Sequence, residues 1–221
     1  GEVARALSKR GLKLALADSE HGEARMQALA KELGGASVVV GDLGKAEAWA
    51  GVVGRLEREL GAAPTQAALV AGGYQGGGPL HEQREGAVLG AMLRANVETV
   101  HEALRAILPP MVARKKGSVV VMGSRAALQP WTGAGSAAYA ASKAAVVALA
   151  QAVAAEVLPH GVRVNAVLPS TMDTPANRAA MPKVDPSTWV TLPSAAGVVA
   201  YLLSDDARDV SGAAVPLYGR A

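Results

Sequence analysis

Tyr139 and Lys143 stand four residues apart in an alanine-rich run, Ser136 to Leu158, whose pattern predicts a helix. At that spacing two side chains share a helix face. A tyrosine of ordinary pKa, about 10, is a poor acid–base catalyst at neutral pH. A neighbouring ammonium favours the phenolate and draws that pKa towards the working range. The pair therefore points to proton transfer at a substrate oxygen. A half-buried tyrosine beside a surface lysine gives the same four-residue pattern, so the surrounding sequence decides its meaning.

Several other residues share this double reading. The run Ser118 to Met122 ends in Gly123-Ser124-Arg125, which puts a hydroxyl at the carboxyl end of a strand, upstream of Tyr139. Ser124 there can hold a carbonyl oxygen beside the phenol, or simply serve as a turn serine. Asn96 falls inside a long helical pattern, where asparagine is unfavourable; it is either a surface residue or a polar device beneath a site. Asp18 ends the first readable strand. An acid in that place can accept hydrogen bonds from adenosine ribose hydroxyls and repel a 2′-phosphate, or it can cap the helix that follows. Asp42, after the next strand, admits the same two readings. The Gly72-Gly73 pair lets backbone approach a ligand closely, as it would let any loop turn.

The elements that must position these residues alternate along the chain. Strands are predicted at Leu12 to Ala17, Ala36 to Val40, Ala67 to Ala71, Ser118 to Met122, Val162 to Val167 and Ala213 to Leu217. Helices are predicted at His21 to Leu33, Lys45 to Leu60, Arg84 to Ala113 with a break near Pro109-Pro110, Ser136 to Leu158, and Ser194 to Leu203. The strands are apolar almost throughout, as strands covered on both faces are. Strand–helix alternation with no composition break implies α/β architecture: one doubly wound, Rossmann-type parallel sheet in a single domain spanning residues 1–221. In such a sheet ligands bind outside the carboxyl ends of the strands. The candidate residues named above lie in those loops or on the helices that follow them.

Composition narrows the class. The 221 residues are 50% hydrophobic, with no cysteine, which excludes disulfides, zinc–thiolate sites and a cysteine nucleophile and suits a reducing cytoplasm. No apolar run is expected to reach the ~20 residues of a membrane helix, and the opening residues lack a signal-peptide pattern. The net charge of +3 comes from scattered lysines and arginines, without the stripe and stacking aromatics of a nucleic-acid surface. Neither a membrane, a nucleic acid nor a metal is called for.

Taken together, these residues resemble the short-chain dehydrogenase/reductases over essentially the whole chain. The resemblance rests on Tyr139 and Lys143 with Ser124 upstream, and on Asn96 in the preceding long helix. It rests also on Asp18 and Asp42, on Arg163-Val164-Asn165-Ala166-Val167 before Pro169, and on Ser211-Gly212 before the last strand. It implies Tyr139 as general acid, Lys143 holding the nicotinamide ribose and tuning the tyrosine, Ser124 orienting the carbonyl, and Asn96 completing a proton relay. It further implies that backbone at Ala71, Gly72 and Gly73 lines the adenosine ribose and that Asp42 faces adenine. Pro169, Met172 and Thr174 would lie on the carboxamide and phosphate side. The family's first strand and most of its T-G-x-x-x-G-x-G loop are expected upstream of Glu2, with Gly1 as the loop's last glycine, so the chain reads as an N-terminally incomplete version of the domain.

Within the family the chain is most similar to the dihydropteridine reductase branch. The similarity lies in Val70-Ala71-Gly72-Gly73-Tyr74-Gln75-Gly76-Gly77 and in Val167 through Arg178, continuing to Met181-Pro182 and Trp189. That branch uses NADH, in agreement with Asp18, but lacks the catalytic serine; Ser124 suits ordinary carbonyl reduction. The expectation is thus an NAD(H)-dependent reductase of a carbonyl or quinonoid substrate. A pteridine reductase proper, a 3-oxoacyl-thioester reductase and a non-catalytic NAD-binding sensor or scaffold are the alternatives. Tyr74, Trp131 and Trp189 would sandwich a flat substrate, or pack as lid residues. The family commonly pairs the helix that carries the tyrosine across a two-fold axis, which implies a homodimer or homotetramer; the alternative is a helix packed wholly within its own domain.

Overall fold

Alternation along the two central strands decides which layer each side chain joins. β4 (Gly117–Met122) and β5 (Val162–Pro169) lie beside each other, and their residues point in turn to opposite faces. Val119, Val121, Val164, Ala166 and Leu168 enter one apolar layer, together with Val146, Val147, Ala150, Val153 and Val157 of the Tyr139 helix. Val120 and Val167 enter the other, with Leu7, Val199, Leu202 and Leu203. With helices on both faces, all eight positions of β5 are buried, and its polar pair Arg163 and Asn165 donate to backbone carbonyls of Leu202, Ser204 and Val210.

The computed structural model describes residues 1–83 and 86–220. In chain order the elements are α1 (Glu2–Ser8), β1 (Ala15–Asp18), α2 (Glu23–Glu32), β2 (Ser37–Val40), α3 (Ala46–Trp49), α4 (Val52–Leu60) and β3 (Gln66–Leu69). They continue with α5 (Ala87–Met92), a π-helical segment (Leu93–Glu98), α6 (Thr99–Ala113), β4 (Gly117–Met122), α7 (Arg125–Leu128) and α8 (Ala137–Val157). β5 (Val162–Pro169), α9 (Pro175–Ala180), α10 (Leu192–Leu203) and β6 (Ala214–Leu217) complete the chain. Every ladder is parallel, as the apolar strands required.

The ladders form two sets, β1-β2 and β3-β4-β5-β6. Several expectations about single elements are corrected. The first strand starts at Ala15, not Leu12. The second predicted helix is two, because Gly51 takes a left-handed φ of 73° between α3 and α4. The long helix does not break at Pro109-Pro110: buried Ile107 and Met111, one turn apart, hold the helical path through both prolines. Its irregularity is the π-helical segment around Asn96, and its expected start at Arg84 lies outside the described residues. One run also exceeds the expected apolar length. The helical stretch Ala137–His160, with mean hydropathy 1.5, is long and apolar enough to cross a membrane, yet one face of it forms the core against β5.

Candidate functional site

β3, β4 and β5 end on the same edge, and the functional side chains gather there. β4 runs into Gly123, where a Cβ would stand 3.2 Å from both Leu168 and Val147; the chain turns tightly here because no side chain intrudes. Ser124 follows, buried, its hydroxyl accepting the Ala126 N–H at 3.2 Å. It is therefore both a turn serine and a hydroxyl facing Tyr139, whose pKa its hydrogen bonding lowers.

α8 supplies three groups from one turn and a half. Lys143 is 5% exposed, and its Nζ donates to the Met122 carbonyl at 2.8 Å. Burial drives its pKa from 10.5 down to about 8. Ser142, fully buried, donates its hydroxyl to the Tyr139 carbonyl at 2.8 Å. Tyr139 lies half-buried, and its ring meets that of Tyr74 edge-on, with centroids 4.9 Å apart and planes at 75°. Burial raises the Tyr139 pKa, the Ser124 hydrogen bond opposes the rise, and Tyr74 adds to it. This corrects the expectation of a lowered phenol pKa: the Lys143 ammonium is engaged with Met122, and desolvation prevails.

Asn96 is the polar device beneath the site, not a surface residue. It is fully buried in the π-helical segment, a distortion that often marks functional positions. Its Oδ1 accepts the Gly73 N–H at 3.0 Å, and its Nδ2 donates to the Gly73 carbonyl at 3.1 Å and to Ser142 Oγ at 3.0 Å. Gly72 fits tightly against this group: a Cβ there would come within 2.6 Å of Asn96 Oδ1 and 3.2 Å of Lys143 Nζ. Sequence reasoning missed Ser142 and the Met122 carbonyl. A serine three residues after Tyr139 can bond that residue's carbonyl, which is the signal that marks Ser142.

The remaining candidates spread along the same edge. The Asp18 carboxylate folds back onto its own turn, accepting the Ser19 N–H at 2.8 Å and pairing with Arg25 at 2.6 Å. It occupies room that only Gly22 leaves, since a Cβ there would lie 2.3 Å away. The Gly1 amino group responds to both Asp18 and Arg25, which puts the start of α1 near this acid. Asp42 is exposed, accepts the Gly44 N–H and pairs with Lys45 at 3.3 Å. Pro169 ends β5 opposite Leu217. The Met172 carbonyl accepts from Asn177 Nδ2, and Thr174 Oγ1 caps α9 through the Asn177 N–H. The three aromatics are not brought together: Trp189 is 6% exposed and Trp131 72%, and only Tyr74 touches the Tyr139 ring.

A half-buried tyrosine with a hydroxyl facing it and a buried lysine one turn away at the strand ends is an arrangement that can transfer a proton. Residues 1–218 match a family model described as Enoyl-(Acyl carrier protein) reductase. The chain belongs to the short-chain dehydrogenase/reductase family. It shares 32% identity over 141 residues with Dehydrogenase/reductase SDR family member 6 of Danio rerio, a match covering 58% of this chain and 57% of the relative. It shares 37% over 172 residues with Inactive 2-(S)-hydroxypropyl-CoM dehydrogenase 2 of Xanthobacter autotrophicus, covering 77% and 71%. Among solved structures, a short-chain oxidoreductase from Burkholderia thailandensis superposes with a TM-score of 0.85 at 27% identity, over 99% of this chain and 86% of its own. The Danio rerio match thus spans little more than half of that relative's length. The fold is that of a Rossmann-like oxidoreductase.

Proposed function

We propose that this chain reduces a carbonyl substrate with NADH, with Tyr139 as the proton donor. The observation that carries this reading is the gathering of Ser124, Tyr139 and buried Lys143 at the ends of β4 and β5, tied to the buried Asn96 network through Ser142. The residues fit a dinucleotide. Val70, Ala71 and Gly72 follow β3 as exposed residues, and Gly72, beside buried Lys143, presents its backbone with no side chain. Lys143 would hold the nicotinamide ribose, Ala71 to Gly73 would line the adenosine side, and Asp18 would accept from its ribose hydroxyls and disfavour a 2′-phosphate.

The bound nicotinamide supplies a hydride. Ser124 donates to the substrate oxygen and orients the carbonyl. Tyr139 Oη gives its proton to that oxygen, the C=O π pair becoming the O–H bond as the carbonyl carbon takes the hydride, and the phenolate then regains a proton from solvent. A pKa raised by burial keeps the phenol protonated at neutral pH, which suits the reductive direction. Tyr74, edge-on to Tyr139, would flank the substrate. Ser124 favours an ordinary carbonyl over a quinonoid ring, because it is the carbonyl oxygen that a hydroxyl at this point serves.

We also propose self-association through α8, whose outer face presents exposed Ala137, Ala141, Ala144, Ala148 and Ala155, small enough for close helix approach. Sedimentation of the protein tests this: a dimer or tetramer is expected, and a monomer at all concentrations contradicts it.

The functional reading is tested by following NADH and NADPH oxidation with small ketones, 3-oxoacyl thioesters and quinonoid dihydropterin. Turnover of a ketone or thioester with NADH is expected. Tight NADH binding with no turnover across the panel would favour a sensor instead, the outcome suggested by a relative named inactive.

A further inference from the structure

Arg125, the residue after Ser124, has no countercharge among the described residues. Four arginines among the described residues are wholly or partly buried: Arg5, Arg55, Arg125 and Arg163. Arg5 and Arg55 pair with glutamates. Arg163 donates to the carbonyls of Leu202, Val210 and Ser204. Arg125 has neither kind of partner.

Its guanidinium is nonetheless fixed. Nε donates to Gln129 Oε1 at 2.8 Å, and Cζ stands 5.0 Å from the centre of the Tyr218 ring. Tyr218 is itself tied to the strand ends, its carbonyl accepting from Ser170 Oγ at 2.9 Å, one residue beyond β5. The cation therefore spans from the Ser124 turn to the ends of β5 and β6, on the edge that carries Tyr139. Among the described residues its two terminal nitrogens have no hydrogen-bond partner. A guanidinium whose face is stacked and whose Nε is occupied presents that remaining pair as a planar fork, the shape that binds an oxyanion in bidentate fashion.

We propose that Arg125 is a specificity-determining residue that selects carbonyl substrates bearing an oxyanion: a carboxylate, sulfonate or phosphate. This rests on the reductase reading above and names the substrate class for the same site. Stacking on Tyr218 fixes the distance from anion to carbonyl, and Ser124, next in the chain, receives the carbonyl oxygen.

The test compares levulinate with methyl levulinate, and acetoacetate with methyl acetoacetate, so that each pair has one carbonyl with and without charge. Wild-type enzyme is expected to favour the acid of at least one pair by about tenfold or more in kcat/KM, and Arg125→Met to lower that preference about tenfold. Arg125→Lys, which keeps the charge and loses the fork, is expected to fall between them. An equal acid-to-ester ratio in wild type and Arg125→Met, or a wild-type preference for the esters, overturns the proposal. A second arm does not depend on turnover: saturation-transfer NMR of levulinate on each protein. If no carbonyl is reduced but levulinate binds wild type and not Arg125→Met, the anion subsite stands and the reductase reading falls. Binding equal in both proteins, or absent from both, overturns the subsite.

Discussion

The carboxamide of Asn96 closes on both polar atoms of Gly73: Oδ1 takes the N–H at 3.0 Å, and Nδ2 reaches the carbonyl at 3.1 Å. One side chain thereby does for the glycine-rich loop what a neighbouring strand would do. The π-helical segment is what aims it there, and Ser142, its third partner, carries the tie on to the Tyr139 peptide. The glycine-rich loop and the helix that carries Tyr139 are fastened to each other through Asn96.

Removing that fastening leaves paired groups without partners. Asn96→Leu strips the Gly73 N–H, the Gly73 carbonyl and the Ser142 hydroxyl of hydrogen bonds in a buried place, at an expected cost of about 2–4 kcal/mol in stability. Urea denaturation measures it. A loss under about 0.5 kcal/mol would mean that the loop is held otherwise.

Gly72 owes its identity to the same packing. Gly72→Ala puts a methyl group 2.6 Å from Asn96 Oδ1, so the carboxamide or the loop must move. The expected result is a stability loss of about 1–3 kcal/mol together with weakened NADH binding, read by fluorescence titration. Wild-type affinity in the variant would show that the rim does not receive the nucleotide.

Lys143 links the site to pH. Its folded pKa of about 8 lies below the ordinary 10.5, so the unfolded chain holds a proton that the folded one releases. Stability therefore rises with pH between these values, by about 3 kcal/mol from this residue alone. Lys143→Met removes the buried charge and is expected to be more stable than wild type at pH 7, with the difference shrinking towards pH 10 in thermal scans. A difference that stays constant with pH would contradict the burial argument.

The proposed preference for NADH rests on Asp18. Its carboxylate faces Arg25 across 2.6 Å, so Asp18→Asn removes the repulsion of a 2′-phosphate and frees the guanidinium for it. The NADPH-to-NADH ratio of kcat/KM is expected to rise by about tenfold or more. An unchanged ratio would remove Asp18 from the selection.

Much of this was legible in the residues, and the reasons differ by element. Apolar strands such as Val119-Val120-Val121 announce cover on both faces, so parallel pairing follows from type alone. Tyr139 and Lys143 share a face because four residues make about one turn. What depended on neighbours was not legible. Asn96 looks misplaced in a helix, yet only the Gly73 backbone across from it says what it bonds. The tuning of Tyr139 reversed direction because burial of the phenol outweighs what its neighbours do to lower its pKa, a balance set by tertiary packing. Trp189, read beside Tyr74 and Trp131 as one face of a sandwich, is buried instead. Pro109 and Pro110 signal a break by type, but buried Ile107 and Met111 override it.

The central claim is that Tyr139 supplies the proton. Stopped-flow NADH oxidation with a reduced carbonyl, comparing wild type with Tyr139→Phe, tests it most directly. The expected result is a rate lower by about 10²–10⁴-fold with NADH affinity retained, since the ring keeps its contact with Tyr74 and loses only its hydroxyl. A Tyr139→Phe enzyme that reduces the same substrate at the wild-type rate would contradict it.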